Sequence, residues 1–115
     1  MSVTVFGIPN CDTVKKARKW LEARDIDYSF VNFKTEGADP AKVQAWVADK
    51  GWEVVLNRRG TTFRQLHDED KADLDADKAT RLMEGNPSMI KRPVVEYPGG
   101  VLVGFSEDEW AAAFN

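Results

Sequence analysis

Between Val3 and Phe33 a strand, a helix and a second strand follow one another with little chain left over, and this order constrains the fold more than any other feature. Val3 to Ile8 (Val-Thr-Val-Phe-Gly-Ile) is short, rich in β-branched residues and stops at Pro9-Asn10, as a buried opening strand does. From Asp12 to Arg24, Val14, Ala17 and Leu21 recur at helical spacing, while Lys15, Lys16, Arg18, Lys19 and Glu22 fill the remaining face. That pattern predicts an amphipathic helix, with Asn10 placed to cap it. Ile26, Tyr28 and Phe30 then alternate with Asp27 and Ser29 and lead into Val31-Asn32-Phe33, the period of a half-buried strand. Two strands joined by a helix are expected to lie parallel, with the helix packed on one face of the sheet.

The next start signal is Asp39-Pro40, a cap followed by proline at the first helical position, with Val43, Trp46 and Val47 as the apolar stripe of a helix that ends at Lys50-Gly51. Trp52 to Leu56 is too short for its period to decide between strand and helix, and Asn57 to Thr62 reads as a polar turn around Gly60. Asp68 to Asp77 holds six acids and one Lys, which predicts a solvated stretch whose Asp75 or Asp77 opens a helix carrying Ala79, Leu82 and Met83. Gly85-Asn86-Pro87 ends it. After Pro93, Val94 to Tyr97 and Val101 to Phe105 flank Pro98-Gly99-Gly100 as an antiparallel hairpin. Ser106 to Glu109 has capping-box spacing and opens a last helix with Trp110, Ala113 and Phe114 on its apolar side. The order β-α-β, helices, β-β-α predicts an α/β chain with a mixed four-stranded sheet, and this resembles the thioredoxin arrangement. There a reactive cysteine follows the first strand and a proline precedes the third, the places of Cys11 and Pro93.

At 115 residues the chain is expected to be one domain spanning 1–115, able to bury roughly two-thirds of the surface it exposes when unfolded. One Cys and one His exclude an internal disulfide and a zinc site built from Cys and His, so no metal is expected. Thiol chemistry would have to borrow its second sulfur from another molecule. With 16 Lys and Arg against 19 Asp and Glu, a net charge of −3, the chain lacks the basic footprint of general nucleic-acid binding. Met1 to Ile8 does not read as a signal peptide, and no apolar run approaches the roughly 18 residues a membrane span needs. A cytoplasmic monomer with its thiol kept reduced is expected.

Three places could carry chemistry. Cys11 falls at the start of the first helix, where free backbone N–H groups and the positive end of the dipole favour a thiolate, with Lys15 acting in the same sense. The plainer reading is a buried structural cysteine, against which Pro9, Asn10 and Asp12 make the surroundings a polar loop. Asn57-Arg58-Arg59-Gly60-Thr61-Thr62-Phe63-Arg64 is free of acids in an acidic chain, so it either holds an anion through arginine forks and backbone N–H groups or pairs with the acidic stretch that follows. Arg92, next to Pro93, either borders the Cys11 site or makes a surface ion pair. His67, in a very polar stretch, is expected to be exposed rather than a catalytic base. Trp20, Trp46, Trp52 and Trp110 are expected to be packing residues.

Gly7-Ile8-Pro9-Asn10-Cys11-Asp12-Thr13-Val14-Lys15-Lys16-Ala17, then Leu56 to Arg64, then Pro87-Ser88-Met89-Ile90-Lys91-Arg92-Pro93-Val94 and Val103-Gly104-Phe105 together resemble the arsenate reductase (ArsC) family, in particular its YffB-like branch, a relative of the Spx regulators. The resemblance covers nearly the whole chain in order. It implies a thioredoxin-like fold with a helical insertion, about 38–86, between the second and third strands. It also implies a glutathione-dependent thiol reductase with no bound cofactor, glutathione as co-substrate and a small anionic or thiol substrate. Position by position, Cys11 matches the nucleophile, Arg92 the arginine before the proline, and Pro93 that proline, which is cis in relatives. Arg58 or Arg59 lies near the arginine of the insertion, and Asn10 and Lys15, beside Cys11 in the sequence, are expected with these to make up the substrate- and glutathione-binding set. The family's arsenate reductases carry a further arginine after the last two strands, and Val101 to Glu107 holds none. The regulators usually carry Cys-X-X-Cys, whereas Cys11-Asp12-Thr13-Val14 ends in Val. The alternative the resemblance leaves is a regulatory adaptor that, like Spx, binds RNA polymerase without catalysis.

Overall fold

The β-branched opening run forms strand β1 (Thr4–Gly7) in the computed structural model, which describes residues 2–114. It leads through Pro9-Asn10 into α1 (Asp12–Ala23), then β2 (Ser29–Asn32) and a single helical turn, α2 (Phe33–Glu36). α3 (Pro40–Lys50) is followed by the one-turn segments α4 (Trp52–Val55), α5 (Thr61–Arg64) and α6 (Asp68–Lys71) and by α7 (Ala76–Gly85). After a 3₁₀ turn at Pro87–Met89 come β3 (Val94–Tyr97), β4 (Gly100–Val103) and α8 (Glu107–Ala113).

The chain divides into two units. One holds the described residues up to Glu36 together with those from Arg92 onward, and the other is Gly37–Lys91.

In the first unit the strands lie in the order β2-β1-β3-β4. β1 runs parallel to β2, with Val5 opposite Phe30, and antiparallel to β3, with Phe6 opposite Val94. β3 and β4 form the antiparallel hairpin around Pro98-Gly99. This is a thioredoxin-like α/β fold: a mixed four-stranded sheet whose second and third strands are separated by helical segments. The apolar stripe of α1 is buried at Val14, Ala17, Trp20 and Leu21. Ala17, Trp20 and Leu21 join Val3, Val5, Val95, Leu102 and Trp110 in one core cluster.

Gly7 sets how closely α1 approaches β1. A Cβ built on Gly7 would lie 2.9 Å from Cγ2 of Val14, and Val14 is fully buried with a side chain held to one strongly preferred rotamer in a helix. Overpacking of this kind costs about 1–3 kcal/mol. Gly7→Ala is therefore expected to lower the thermal midpoint by several degrees in a circular-dichroism melt. An unchanged midpoint would show that α1 has room to retreat.

In the second unit Asp39 caps α3, its Oδ1 accepting from the Ala41 N–H at 3.0 Å, and Val43, Trp46 and Val47 are buried as the sequence pattern requires. Of the two acids considered for α7, Asp75 is the cap, accepting from the Lys78 N–H at 2.8 Å. Ala79 and Met83 are buried, Leu82 only partly. The segment whose period was ambiguous takes both forms: Trp52–Val55 is a helical turn and Leu56 bridges Ile90 antiparallel. The backbone bonds Asn57 N–H to Met89 O (2.7 Å) and Lys91 N–H to Val55 O (2.8 Å) flank that bridge.

Four expectations are corrected. The N-cap of α1 is Cys11, not Asn10, because the Cys11 N–H bonds Ile8 O at 3.3 Å and closes Pro9-Asn10 into a turn one residue earlier. β2 is shorter than Ile26 to Phe33. Ile26 N–H is tied back to Leu21 O at the end of α1, and Phe33 begins α2. There the Asn32 side chain accepts from Lys34 N–H, and Glu36 accepts from Asn32 N–H. β4 stops at Val103, since Gly104 has φ +78°, a left-handed conformation that breaks the strand. Trp52 is only partly buried.

Candidate functional site

The loop leaving β1 delivers Cys11 to the N-cap of α1. Its backbone is extended (φ −87°, ψ 127°), and its carbonyl accepts from the Lys15 N–H at 2.9 Å, the first bond of the helix. Its side chain makes no capping hydrogen bond, so Sγ is not committed to the backbone. Cys11 is half-buried, between the exposed Asn10 and the exposed Asp12. A purely packing role would place the cysteine in the apolar stripe of α1, and that stripe runs through Val14, Ala17, Trp20 and Leu21 instead.

Pro93 is buried, follows a half-buried Arg92 and is joined to it by a cis peptide bond. The sheet register brings this pair to the same end of β1 as the cysteine loop. Phe6 is opposite Val94, so the antiparallel course of β3 puts Pro93 at the Gly7 end of β1, from which Ile8 and Pro9 lead to Cys11. The Gly104 N–H donates to Pro93 O at 2.8 Å, and the Trp110 indole Nε1–H donates to Gly104 O at 3.1 Å. Pro93 is thus anchored from behind by a two-step chain of hydrogen bonds ending in α8. Trp110 is buried, as its spacing predicts, and serves in addition as this donor. The only signal for its second role was Gly104 in the motif Val103-Gly104-Phe105, since a glycine just past a strand commonly marks a turn whose carbonyl must find a donor.

Lys15 is exposed on α1 one turn beyond Cys11. Arg58 and Arg59 belong to the second unit, where they and Lys91 line a cavity of about 430 Å³ together with Glu53, Val54, Leu56 and Asn57. The two arginines differ. The Arg58 guanidinium lies 5.6 Å from the centroid of the Trp52 ring, whereas the Arg59 backbone N–H is held by the Asn57 side chain at 3.1 Å. His67 is exposed and makes no side-chain capping bond at the start of α6. Among the described residues no helix is long and apolar enough to cross a membrane.

The comparisons agree with the fold. A protein of Haemophilus influenzae described as uncharacterized is 41% identical over 112 residues, covering 97% of this chain and 98% of its own. The global transcriptional regulator Spx of Listeria innocua is 31% identical over 112 residues, covering 93% of this chain and 82% of Spx. Among solved structures, a YffB protein matches with a TM-score of 0.95 at 50% identity, over 98% of this chain and 99% of that one. An arsenate reductase (ArsC) related protein from Brucella melitensis matches with a TM-score of 0.77 at 48% identity, over 100% of this chain and 96% of that one. The ArsC family profile matches residues 6–113, from within β1 to the end of α8, and the chain belongs to the ArsC family.

Proposed function

We propose that this chain is a glutathione-dependent thiol reductase in which Cys11 is the nucleophile. The observation that carries the reading is the position of the chain's one thiol, half-exposed at the N-cap of a twelve-residue helix with its sulfur uncommitted. The first N–H groups of a helix and its dipole favour an anion at that place, and the thiolate is the attacking species in disulfide exchange. The Cys11 thiolate attacks one sulfur of a substrate disulfide. A new S–S bond forms, and the other sulfur leaves as a thiolate. With no second cysteine to resolve it, the mixed disulfide is attacked by an external glutathione thiolate, which frees Cys11 and departs as the disulfide. When the substrate is itself a mixed disulfide of glutathione, Cys11 takes the glutathione sulfur, the substrate thiolate leaves and the second exchange yields glutathione disulfide; any other disulfide needs a second glutathione to release the sulfur that departs with the first. A covalent oxyanion adduct on Cys11, formed with loss of water, would need two glutathiones: the first attacks the Cys11 sulfur, so that the oxyanion leaves reduced by two electrons, and the second resolves the resulting disulfide between Cys11 and glutathione. Membership of the ArsC family and the arsenate reductase related neighbour support a reductase.

Arg92 is assigned to holding an anionic group of the substrate, Pro93 and Asn10 to shaping the approach to Cys11, and Lys15 to supporting the thiolate. In the second unit Arg58 and Arg59 are assigned to anion binding, with Arg59 the freer guanidinium because Arg58 is laid over Trp52. The reading places the protein in the cytoplasm as a monomer with no bound cofactor.

Arg92→Lys tests the anion role, because lysine keeps the charge but loses the paired donors of the guanidinium. Hydrogen bonds to charged groups contribute about 1.5–3 kcal/mol, so kcat/KM for an anionic disulfide should fall about tenfold or more, with a neutral disulfide less affected. Equal values for parent and variant would remove Arg92 from the site. The relative named as the global transcriptional regulator Spx supports a second reading, regulation without catalysis, in which this chain acts as an adaptor on RNA polymerase. That reading predicts polymerase binding and no glutathione-dependent turnover.

A further inference from the structure

α1 carries five cations, and they fall into two groups. Arg18 donates through Nε to the Tyr28 hydroxyl at 2.9 Å and lies over Phe30 at 4.1 Å from the ring centroid. Arg24, at its C-cap, lies over Trp20 at 3.7 Å. Of the acids nearby, Glu22 accepts from the Tyr28 hydroxyl. Lys15, Lys16 and Lys19 are exposed and their side chains take part in no hydrogen bond, ion pair or ring contact among the described residues, and Asp12, the other acid on this face, pairs with none of them.

The unpaired lysines stand in a definite relation to the thiol. Lys15 and Lys19 are spaced i, i+4 on one face of the helix whose N-cap is Cys11, with Lys15 about 6 Å and Lys19 about 12 Å along the axis from that end. Helical side chains lean toward the N-terminus, the end of α1 that carries Cys11. Three unpaired positive charges on a chain of net charge −3 attract a partner of opposite sign to this helix.

We propose that Lys15, Lys16 and Lys19 form a docking ridge for an acidic peptide segment of a disulfide substrate, making the protein selective for disulfides whose cysteine is flanked by Asp or Glu. The proposal rests on Cys11 being the reactive thiol. Charges at the rim of a contact act chiefly on the rate of encounter and on its salt dependence, and the screening length shortens from about 30 Å at 0.01 M salt to about 8 Å at 0.15 M.

The test uses three mixed disulfides of glutathione with cysteine peptides that differ only in three flanking residues, Asp, Asn or Lys. The rate at which each modifies Cys11 is followed by mass spectrometry. The parent should react about tenfold faster with the Asp peptide than with the Lys peptide in low salt, and the ratio should shrink steadily as sodium chloride is added. Combining Lys16→Glu with Lys19→Glu should bring the ratio to about one or invert it. Comparable rates for all three peptides, or a ratio that salt and the double variant leave intact, would overturn the ridge while leaving Cys11 as nucleophile. No reaction with any of them would overturn both.

Discussion

Cys11→Ser is expected to bring glutathione-dependent disulfide reduction down to the uncatalysed rate while the fold survives. A serine hydroxyl at neutral pH is a poor nucleophile without an adjacent base, and it cannot form the S–S bond that the cycle needs. The fold has no reason to suffer. Cys11 is the N-cap of α1 but its side chain caps nothing, whereas serine is among the best N-cap residues and would supply the missing acceptor. The thermal midpoint should therefore stay level or rise as activity disappears, a combination that destabilisation cannot mimic. Activity close to the parent's in the variant would refute the assignment.

Trp110→Ala is expected to have the largest effect on stability. Trp110 is 1% exposed and meets Phe105 and Trp20 edge to face, with centroid separations of 4.9 and 5.7 Å. Removing a buried aromatic of this size costs about 3–5 kcal/mol, and the Gly104 carbonyl also loses its donor, about 1 kcal/mol more. Set against the roughly 5–15 kcal/mol that holds a typical domain together, the variant should shift the denaturant midpoint by a large fraction or fail to fold. Trp110→Phe keeps most of the ring volume and isolates the hydrogen bond. It should cost less but loosen the anchor behind Pro93, seen as faster amide exchange at Gly104. A denaturant midpoint for Trp110→Ala near the parent's would contradict the packing.

The parts of the fold that the sequence made legible are those in which period and punctuation agree. β1 and α1 show a β-branched run followed by a helical stripe, and α3 and the hairpin of β3 and β4 are bounded by Asp39-Pro40 and Pro98-Gly99. What escaped is short. α2 is one turn long, too short for any period. It exists because Asn32 and Glu36 satisfy backbone N–H groups at its start, a local exchange that the alternation through Phe33 hides. Asparagine at position 10 is the better cap of α1 by type, but the Cys11 N–H to Ile8 O bond decides the turn and puts the cap one residue later. At the site, the position of Cys11 after the first strand and of Arg92-Pro93 before the third could be read from order alone. Arg58 and Arg59 are adjacent and identical in type, and only the Trp52 ring against Arg58 distinguishes them. The anchoring of Pro93 by Gly104 and Trp110 depends on contacts across the sheet, which no linear pattern carries.

The most direct measurement is intact-mass spectrometry of the protein after brief exposure to glutathione disulfide at pH 7, followed by excess reduced glutathione. The account predicts one glutathione per chain, mapped to Cys11, and its complete release by the added thiol at a rate that rises with thiol concentration. A chain that acquires no adduct while its fold is intact, or one whose adduct the added thiol does not release, would contradict it.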